Sequence, residues 1–205
     1  MTLDPFYPIV EDLAWIKRLA PSGIRLIQLR NKTLQGAGLN HEIKAAAAFC
    51  KARGIILVVN DYWQAAIDAG APWVHLGQSD LDNADVRAIQ KRGLKIGIST
   101  HDVAELERAL SFKPDYVALG PVWRTTLKVM PFAPQGVAKL TTWKQRLGNV
   151  PLVAIGGITL ERAPACFAAG ADSVALVNDV TSAADPEARA AAWVEATRSP
   201  RPAPY

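Results

Sequence analysis

Eight short runs rich in Val, Ile and Leu recur along the chain, at Phe6 to Val10, Arg25 to Arg30, Ile55 to Asn60, Trp73 to Gly77, Lys95 to Thr100, Tyr116 to Gly120, Leu152 to Gly157 and Ser173 to Asn178. Between them lie segments with apolar residues at spacings of three and four, such as Glu42 to Lys51, Val103 to Leu110 and Leu160 to Ala169, which is the helical pattern. Short buried strands alternating with helices indicate parallel strands joined by right-handed crossovers. Eight such units in 205 residues match a single α/β domain folded as a (β/α)8 TIM barrel. The other parallel architecture, an open doubly wound sheet with a dinucleotide site, needs a glycine fingerprint after its first strand, and Pro8 to Trp15 contains no glycine.

Half of the residues are hydrophobic, enough for one sizeable core, and the expected domain is 1–198. The stretch 199–205 carries three prolines and reads as a tail beyond the last helix. Lys and Arg total 23 against 19 Asp and Glu, a formal charge of +4 without blocks of like charge. That balance suits small anionic ligands and argues against nucleic acid. No basic segment precedes an apolar run at the N-terminus, and no apolar stretch approaches the roughly 18 residues of a membrane span, so the expectation is a cytoplasmic protein without membrane contact. Cys50 and Cys166 stand in Ala-rich helical segments with no partner at metal-ligand spacing and read as small buried apolar residues. Association into homo-oligomers is left open.

In a barrel of this kind function sits at the carboxyl ends of the strands. Two neighbouring strands end in Asn60-Asp61 and, through a short loop, Gln78-Ser79-Asp80. Paired carboxylates at one rim repel each other unless a cation lies between them, and a hard, oxygen-preferring ion such as Mg²⁺ suits them. Each Asp has an alternative role as the N-cap of the helix that follows it. Strand two supplies Gln28, Arg30 and Lys32, which share a face if the extended conformation continues, as an anion cradle would. Strand five supplies Ser99, Thr100 and His101, the histidine being suited to the cap of the next helix. After strand six comes a long loop with Arg124, Thr125 and Lys128. Strand seven ends in Gly156-Gly157 with a helix expected after it, and strand eight ends in Val177-Asn178-Asp179, where glycines and helix N-termini favour phosphate.

The ordered set Gln28-Leu29-Arg30-Asn31-Lys32, Asn60-Asp61, Gly77-Gln78-Ser79-Asp80-Leu81, Gly97-Ile98-Ser99-Thr100-His101, Gly120-Pro121-Val122 and Ala154-Ile155-Gly156-Gly157-Ile158 resembles the thiamine phosphate synthase family. The resemblance implies an enzyme that joins two small phosphorylated substrates, hydroxymethylpyrimidine pyrophosphate and hydroxyethylthiazole phosphate, into thiamine phosphate with release of pyrophosphate. It further implies Asp61 and Asp80 as Mg²⁺ ligands. Gln28, Arg30, Lys32, Asn60 and Ser99 would lie around the pyrimidine and its pyrophosphate, and Lys128 would act from the loop after strand six. Thr125, Gly157, Val177 and Asn178 would hold the thiazole phosphate. Arg30, Lys32, Ser99 and Lys128 would form the catalytic set.

Several positions depart from the family's pattern. Leu127 stands where a hydroxyl is usual, Asn178 where Ser is frequent, and Tyr62 where a basic residue commonly follows Asn-Asp. Arg124 is expected to make up the lost contact to the thiazole phosphate. The loop Trp123 to Val129, between Gly120 and Gly136, has the composition of a lid. Two further enzyme classes and one binding class compete with the transferase. A thiazole tautomerase would depend on His101, a barrel isomerase would need an internal acid and base, and a phosphate-ligand binding protein would have lost turnover.

Overall fold

A computed structural model describes residues 3–125 and 133–198. Lys128, Leu127, most of the lid segment and the tail 199–205 lie outside these residues. The eight apolar runs form eight parallel strands, β1 Phe6–Val10, β2 Leu26–Leu29, β3 Ile56–Asn60, β4 Trp73–Leu76, β5 Lys95–Thr100, β6 Tyr116–Leu119, β7 Leu152–Ile155 and β8 Ser173–Leu176. They close into a barrel in sequence order, with β1 pairing β8 through Phe6↔Val174 to Pro8↔Leu176. Closure in sequence order is the (β/α)8 arrangement expected from the alternation of runs.

Alternation along each strand sorts the side chains into two cores. Outward residues such as Ile27, Leu57, Val74, Ile96, Val117 and Val174 meet the surrounding helices, including α1 Leu13–Leu19 and α2 Gly36–Ala52. Inward residues Tyr7, Ile9, Leu26, Val58, Trp73, Tyr116, Ala118, Val153 and Ala175 fill the lumen, with Leu3 packed against them. The lumen is therefore a packed plug, and a cavity opens above it at the carboxyl ends of the strands. Gly97, in the middle of β5, makes room for that plug: a Cβ there would lie 2.0 Å from the ring carbon Cζ of Tyr116.

The helices are less regular than their sequence periodicity suggests. Helix α2 starts at Gly36, six residues before the first expected position Glu42. After β3 and β4 come α3 Trp63–Asp68 and α4 Val86–Lys91, the latter preceded by a 3-10 turn at Asp80–Asp82. The expected helix over Leu160 to Ala169 shrinks to α7 Ala163–Ala168, because residues 156–162 form turns. Helices α5 Val103–Ser111 and α6 Gly136–Leu147 follow β5 and β6, and Trp143 in α6 donates its indole N–H to Thr100 Oγ1 at 2.9 Å. After β8, α8 Asn178–Thr181 packs on α9 Pro186–Arg198, and α9 packs against β1, with Trp193 stacked on Phe6 at 5.4 Å. Cys50 and Cys166 are buried as expected, and burial pushes their thiols up to about 11 and about 12. Among the described residues no helix is long and apolar enough to cross a membrane.

Candidate active site

The strand ends surround a cavity of about 760 Å³ at the carboxyl face of the barrel. Every candidate residue within the described range lines it: Gln28, Arg30, Lys32, Asn60, Asp61, Asp80, Ser99, Thr125, Gly157, Val177 and Asn178. The opposite end of the barrel carries a groove of about 850 Å³ flanked by Lys17, Arg25, Arg53 and Arg198, near the starts of β2 and β3 and away from these groups.

β2 delivers Gln28, almost fully buried, to the floor and passes into a turn held by Asn31, whose Oδ1 accepts the amides of Thr33 and Leu34 at 3.0 and 2.7 Å. That turn keeps Arg30 and Lys32 on the cavity wall. β3 ends in Asn60 and Asp61, and Asp61 adopts φ 64°, a left-handed conformation that Asp tolerates better than most residues. Its amide donates to His75 O at 2.9 Å and its carbonyl accepts from Trp63 N at 2.8 Å. Neither aspartate serves as a helix cap. α3 has Tyr62 at its N-cap with no side-chain bond, and the turn at Asp80–Asp82 is likewise uncapped. Asp80 Oδ2 accepts instead from Gly77 N at 2.9 Å. The capping alternative is thus removed for both, and both carboxylates remain available to the cavity.

Burial comes first, and the neighbouring Asp80 second, in raising the Asp61 carboxyl to about 6, while Arg30 and Lys32 oppose the rise. Two carboxylates that disturb each other at the rim of a phosphate-sized cavity are the donor chemistry that a hard divalent cation resolves. Among the described residues no group of three His, Cys, Asp or Glu is placed to hold a metal ion. The pair therefore fits an ion that takes its other ligands from substrate oxygens and water, the usual arrangement for Mg²⁺.

His101 stands immediately before the N-cap of α5, in the capping region that the sequence suggests. Asp102 is the N-cap, and Glu105 Oε2 accepts from both His101 N at 2.7 Å and His101 Nδ1 at 2.8 Å. The Gly156-Gly157 pair has a tighter role than ligand access alone. Cβ atoms there would lie 2.6 Å from Pro121 Cα and 2.6 Å from Arg124 O, so the glycines let the loop after β6 lie against the end of β7. The helix expected straight after them begins only at Ala163. The helix N-terminus at the rim is that of α8, which begins at Asn178 itself. It is anchored by Asp179, whose carboxylate accepts from Arg189 Nε and Nη2 at 2.9 and 3.0 Å and from Trp193 Nε1 at 2.6 Å.

Sequence reading missed the cavity floor. Gln28 Nε2 donates to Tyr7 Oη at 2.8 Å, Tyr7 Oη meets Tyr116 Oη at 2.9 Å, and Tyr116 Oη meets His75 Nδ1 at 2.8 Å. His75 Nε2 then meets Ser99 Oγ at 2.7 Å. Burial, reinforced by Arg30, pushes the His75 imidazole down to about 4, so it is neutral at pH 7, and burial raises both tyrosine hydroxyls far above neutrality. The available signal was a histidine inside the buried run Trp73–Leu76 together with an in-strand glycine in β5, a large and a small residue facing one lumen.

The sequence profile of a family described as thiamine monophosphate synthase matches residues 6–180. A protein of Rhizobium etli called thiamine-phosphate synthase is 55% identical over 197 residues, covering 96% of this chain and 97% of that protein. One of the same name from Neisseria meningitidis serogroup B is 49% identical over 183 residues, 89% of each chain. The solved structure of a thiamine phosphate pyrophosphorylase from Pyrococcus furiosus superposes with a TM-score of 0.80 at 23% identity, covering 95% of both chains. It supports the fold.

Proposed function

The chain belongs to the thiamine monophosphate synthase family, and from that premise we propose how its cavity performs the transferase reaction. The substrates are hydroxymethylpyrimidine pyrophosphate and hydroxyethylthiazole phosphate, and the products are thiamine phosphate and pyrophosphate. The observation that carries the assignment is one cavity holding a carboxylate pair beside Arg30 and Lys32 on one side and the N-terminus of α8, at Asn178, among its lining groups. Such a cavity has provision for two anionic groups, one of them metal-bound.

Gln28 and Ser99 orient the pyrimidine on the floor, and Asn60, Arg30 and Lys32 bind the pyrophosphate. Asp61 and Asp80 would hold the cation, Mg²⁺. Thr125, Gly157, Val177 and Asn178 hold the thiazole phosphate, and Lys128 acts on the pyrophosphate from the loop after β6. The transferred carbon is benzyl-like, so the C–O bond to pyrophosphate breaks as positive charge develops on carbon. The thiazole nitrogen then supplies the electron pair for the new C–N bond. Mg²⁺, when bound, neutralises charge on the departing pyrophosphate. Arg30 and Lys32 stabilise the same charge in a site that the plugged lumen shields from bulk water below. The floor is neutral, with His75 uncharged and both tyrosines protonated. No floor cation therefore opposes the cationic carbon, and the side chains contribute electrostatics and alignment rather than proton transfer. The catalytic unit is residues 1–198, working in the cytoplasm.

The test is to mix the protein with both precursors and Mg²⁺ and follow thiamine phosphate and pyrophosphate, with Asp61→Asn in parallel. Asn keeps the shape and tolerates the left-handed backbone, so the variant isolates the charge. Product from the wild type and loss of at least a hundredfold in the variant are expected. A folded wild type that makes no product at saturating precursors, or an Asp61→Asn variant of undiminished rate, overturns the assignment.

A further inference from the structure

We propose that Tyr7, Tyr116 and His75 are positioning residues: they form a one-way hydrogen-bond chain that makes Gln28 present an acceptor, and Ser99 a donor, to the pyrimidine. This rests on the placement of Gln28 and Ser99 around that ring under Proposed function.

The direction follows from the donor inventory. The chain starts at the Gln28 side-chain nitrogen, which can only donate, so Tyr7 Oη accepts there. Tyr7 has one proton, and it is left for Tyr116 Oη. Tyr116 in turn has one proton for His75 Nδ1. A neutral imidazole that accepts at Nδ1 carries its proton on Nε2, and that N–H donates to Ser99 Oγ. Among the described residues the Ser99 proton then meets no acceptor, and it is left for the cavity that Ser99 lines. At the other end, the Gln28 carbonyl oxygen likewise makes no hydrogen bond among the described residues and is the acceptor offered to a ligand. Reversing one link would set two protons or two lone pairs against each other at 2.7 to 2.9 Å in a buried lumen. The geometry is held by packing: Tyr116 is fully buried, stacks on His75 at 5.6 Å, meets Tyr7 edge-on at 6.1 Å and occupies the space left by Gly97.

A donor beside an acceptor is the edge of an aminopyrimidine. Its oxo counterpart presents the reverse, a carbonyl acceptor beside a ring N–H donor. The chain therefore sets specificity for the amino ring from residues that stand behind the two groups in contact with it.

The test combines spectroscopy with kinetics. Protein labelled with ¹⁵N-histidine contains three imidazoles, and His75 is assigned by its loss in His75→Gln. Long-range ¹H–¹⁵N spectra at pH 7 should show His75 with its proton on Nε2. Tyr116→Phe keeps the ring but removes the proton given to Nδ1, and Tyr7→Phe removes the link before it. In both variants His75 should become a mixture of tautomers, and the preference for amino over oxo pyrimidine pyrophosphate in kcat/KM should fall about tenfold, the upper range for one neutral hydrogen bond. The KM for thiazole phosphate should not change. A purely structural role would lower stability and leave tautomer and preference intact. His75 protonated at Nδ1 or at both nitrogens in the wild type, or an unchanged preference in both variants, overturns the chain. An inactive wild type with the expected tautomer counts against the transferase reading and not against the chain.

Discussion

Substitution of Gly97 by Ala tests the packing that holds the cavity floor. The added Cβ would lie 2.0 Å from Tyr116 Cζ, 2.3 Å from Cε1 and 2.4 Å from the hydroxyl oxygen. Carbon atoms pack at about 3.5 Å, so the ring would have to retreat by about 1.5 Å. It has nowhere to go: it is fully buried, with Trp73 at 5.7 Å, His75 at 5.6 Å and Tyr7 at 6.1 Å. Overpacking of this kind costs about 1–3 kcal/mol, and the two hydrogen bonds of Tyr116 add about 0.5–1.5 kcal/mol each if they break. A destabilisation of about 3–4 kcal/mol is expected, lowering Tm by roughly 10 °C in a chain of this size. Thermal melts followed by circular dichroism measure it. Gly97→Ala should then cost nothing in a Tyr116→Ala background, where the space is vacant and Ala suits a strand better than Gly. A single Gly97→Ala variant that melts within 2 °C of wild type would refute the reasoning.

Three other outcomes follow from the site. Asp61 has a carboxyl raised by burial and Asp80 against Arg30 and Lys32, so the native state binds its proton more tightly than the unfolded chain and stability falls as pH rises from about 4 to about 6. Without metal, Asp61→Asn should therefore be more stable than wild type at pH 7, by about 1–2 kcal/mol after discounting for partial exposure, and no different below pH 4. Denaturant titrations at the two pH values check this, and Mg²⁺ should raise the Tm of the wild type alone. Arg124 lines the cavity from an exposed position. Arg124→Ala should raise the KM for thiazole phosphate about tenfold, the lower range for a hydrogen bond to a charged group, and initial rates showing no change remove Arg124 from the phosphate site. Asp179→Ala leaves Arg189 and Trp193 without their shared acceptor. It should lose about 3 kcal/mol of stability in urea unfolding, as breaking a largely buried pair does, and weaken thiazole phosphate binding through α8.

The strands were legible to within two residues at each end because every run of β-branched and aliphatic residues is buried on both faces of the barrel wall. The rim residues were legible for the opposite reason: Arg30, Asp61 and Asp80 are charges placed where apolar runs stop. What escaped notice lies inside the runs. Tyr7, His75 and Tyr116 read as ordinary strand residues until the barrel closes and faces them across one lumen, a relation among β1, β4 and β6 that no local window contains. α8 escaped because four residues make a single turn with too few positions to display a period. The cap roles proposed for Asp61 and Asp80 were reasonable by residue type, but the left-handed backbone at Asp61 and the Gly77 amide beside Asp80 take those side chains elsewhere.

The pairing of β1 with β8 has a consequence for how turnover is gained during folding. Phe6 meets Val174 across the seam, and the stacked Trp193 covers the same strand from outside. Tyr7 stands on one side of that seam and Asn178 just beyond the other. A chain that has assembled β1 to β7 in order thus possesses its carboxylates and its basic wall but neither a closed lumen nor the α8 rim. Turnover should accordingly reappear on refolding only with the step that zips the seam, later than the return of helical signal, and complementary fragments divided within the barrel should be silent apart and active together.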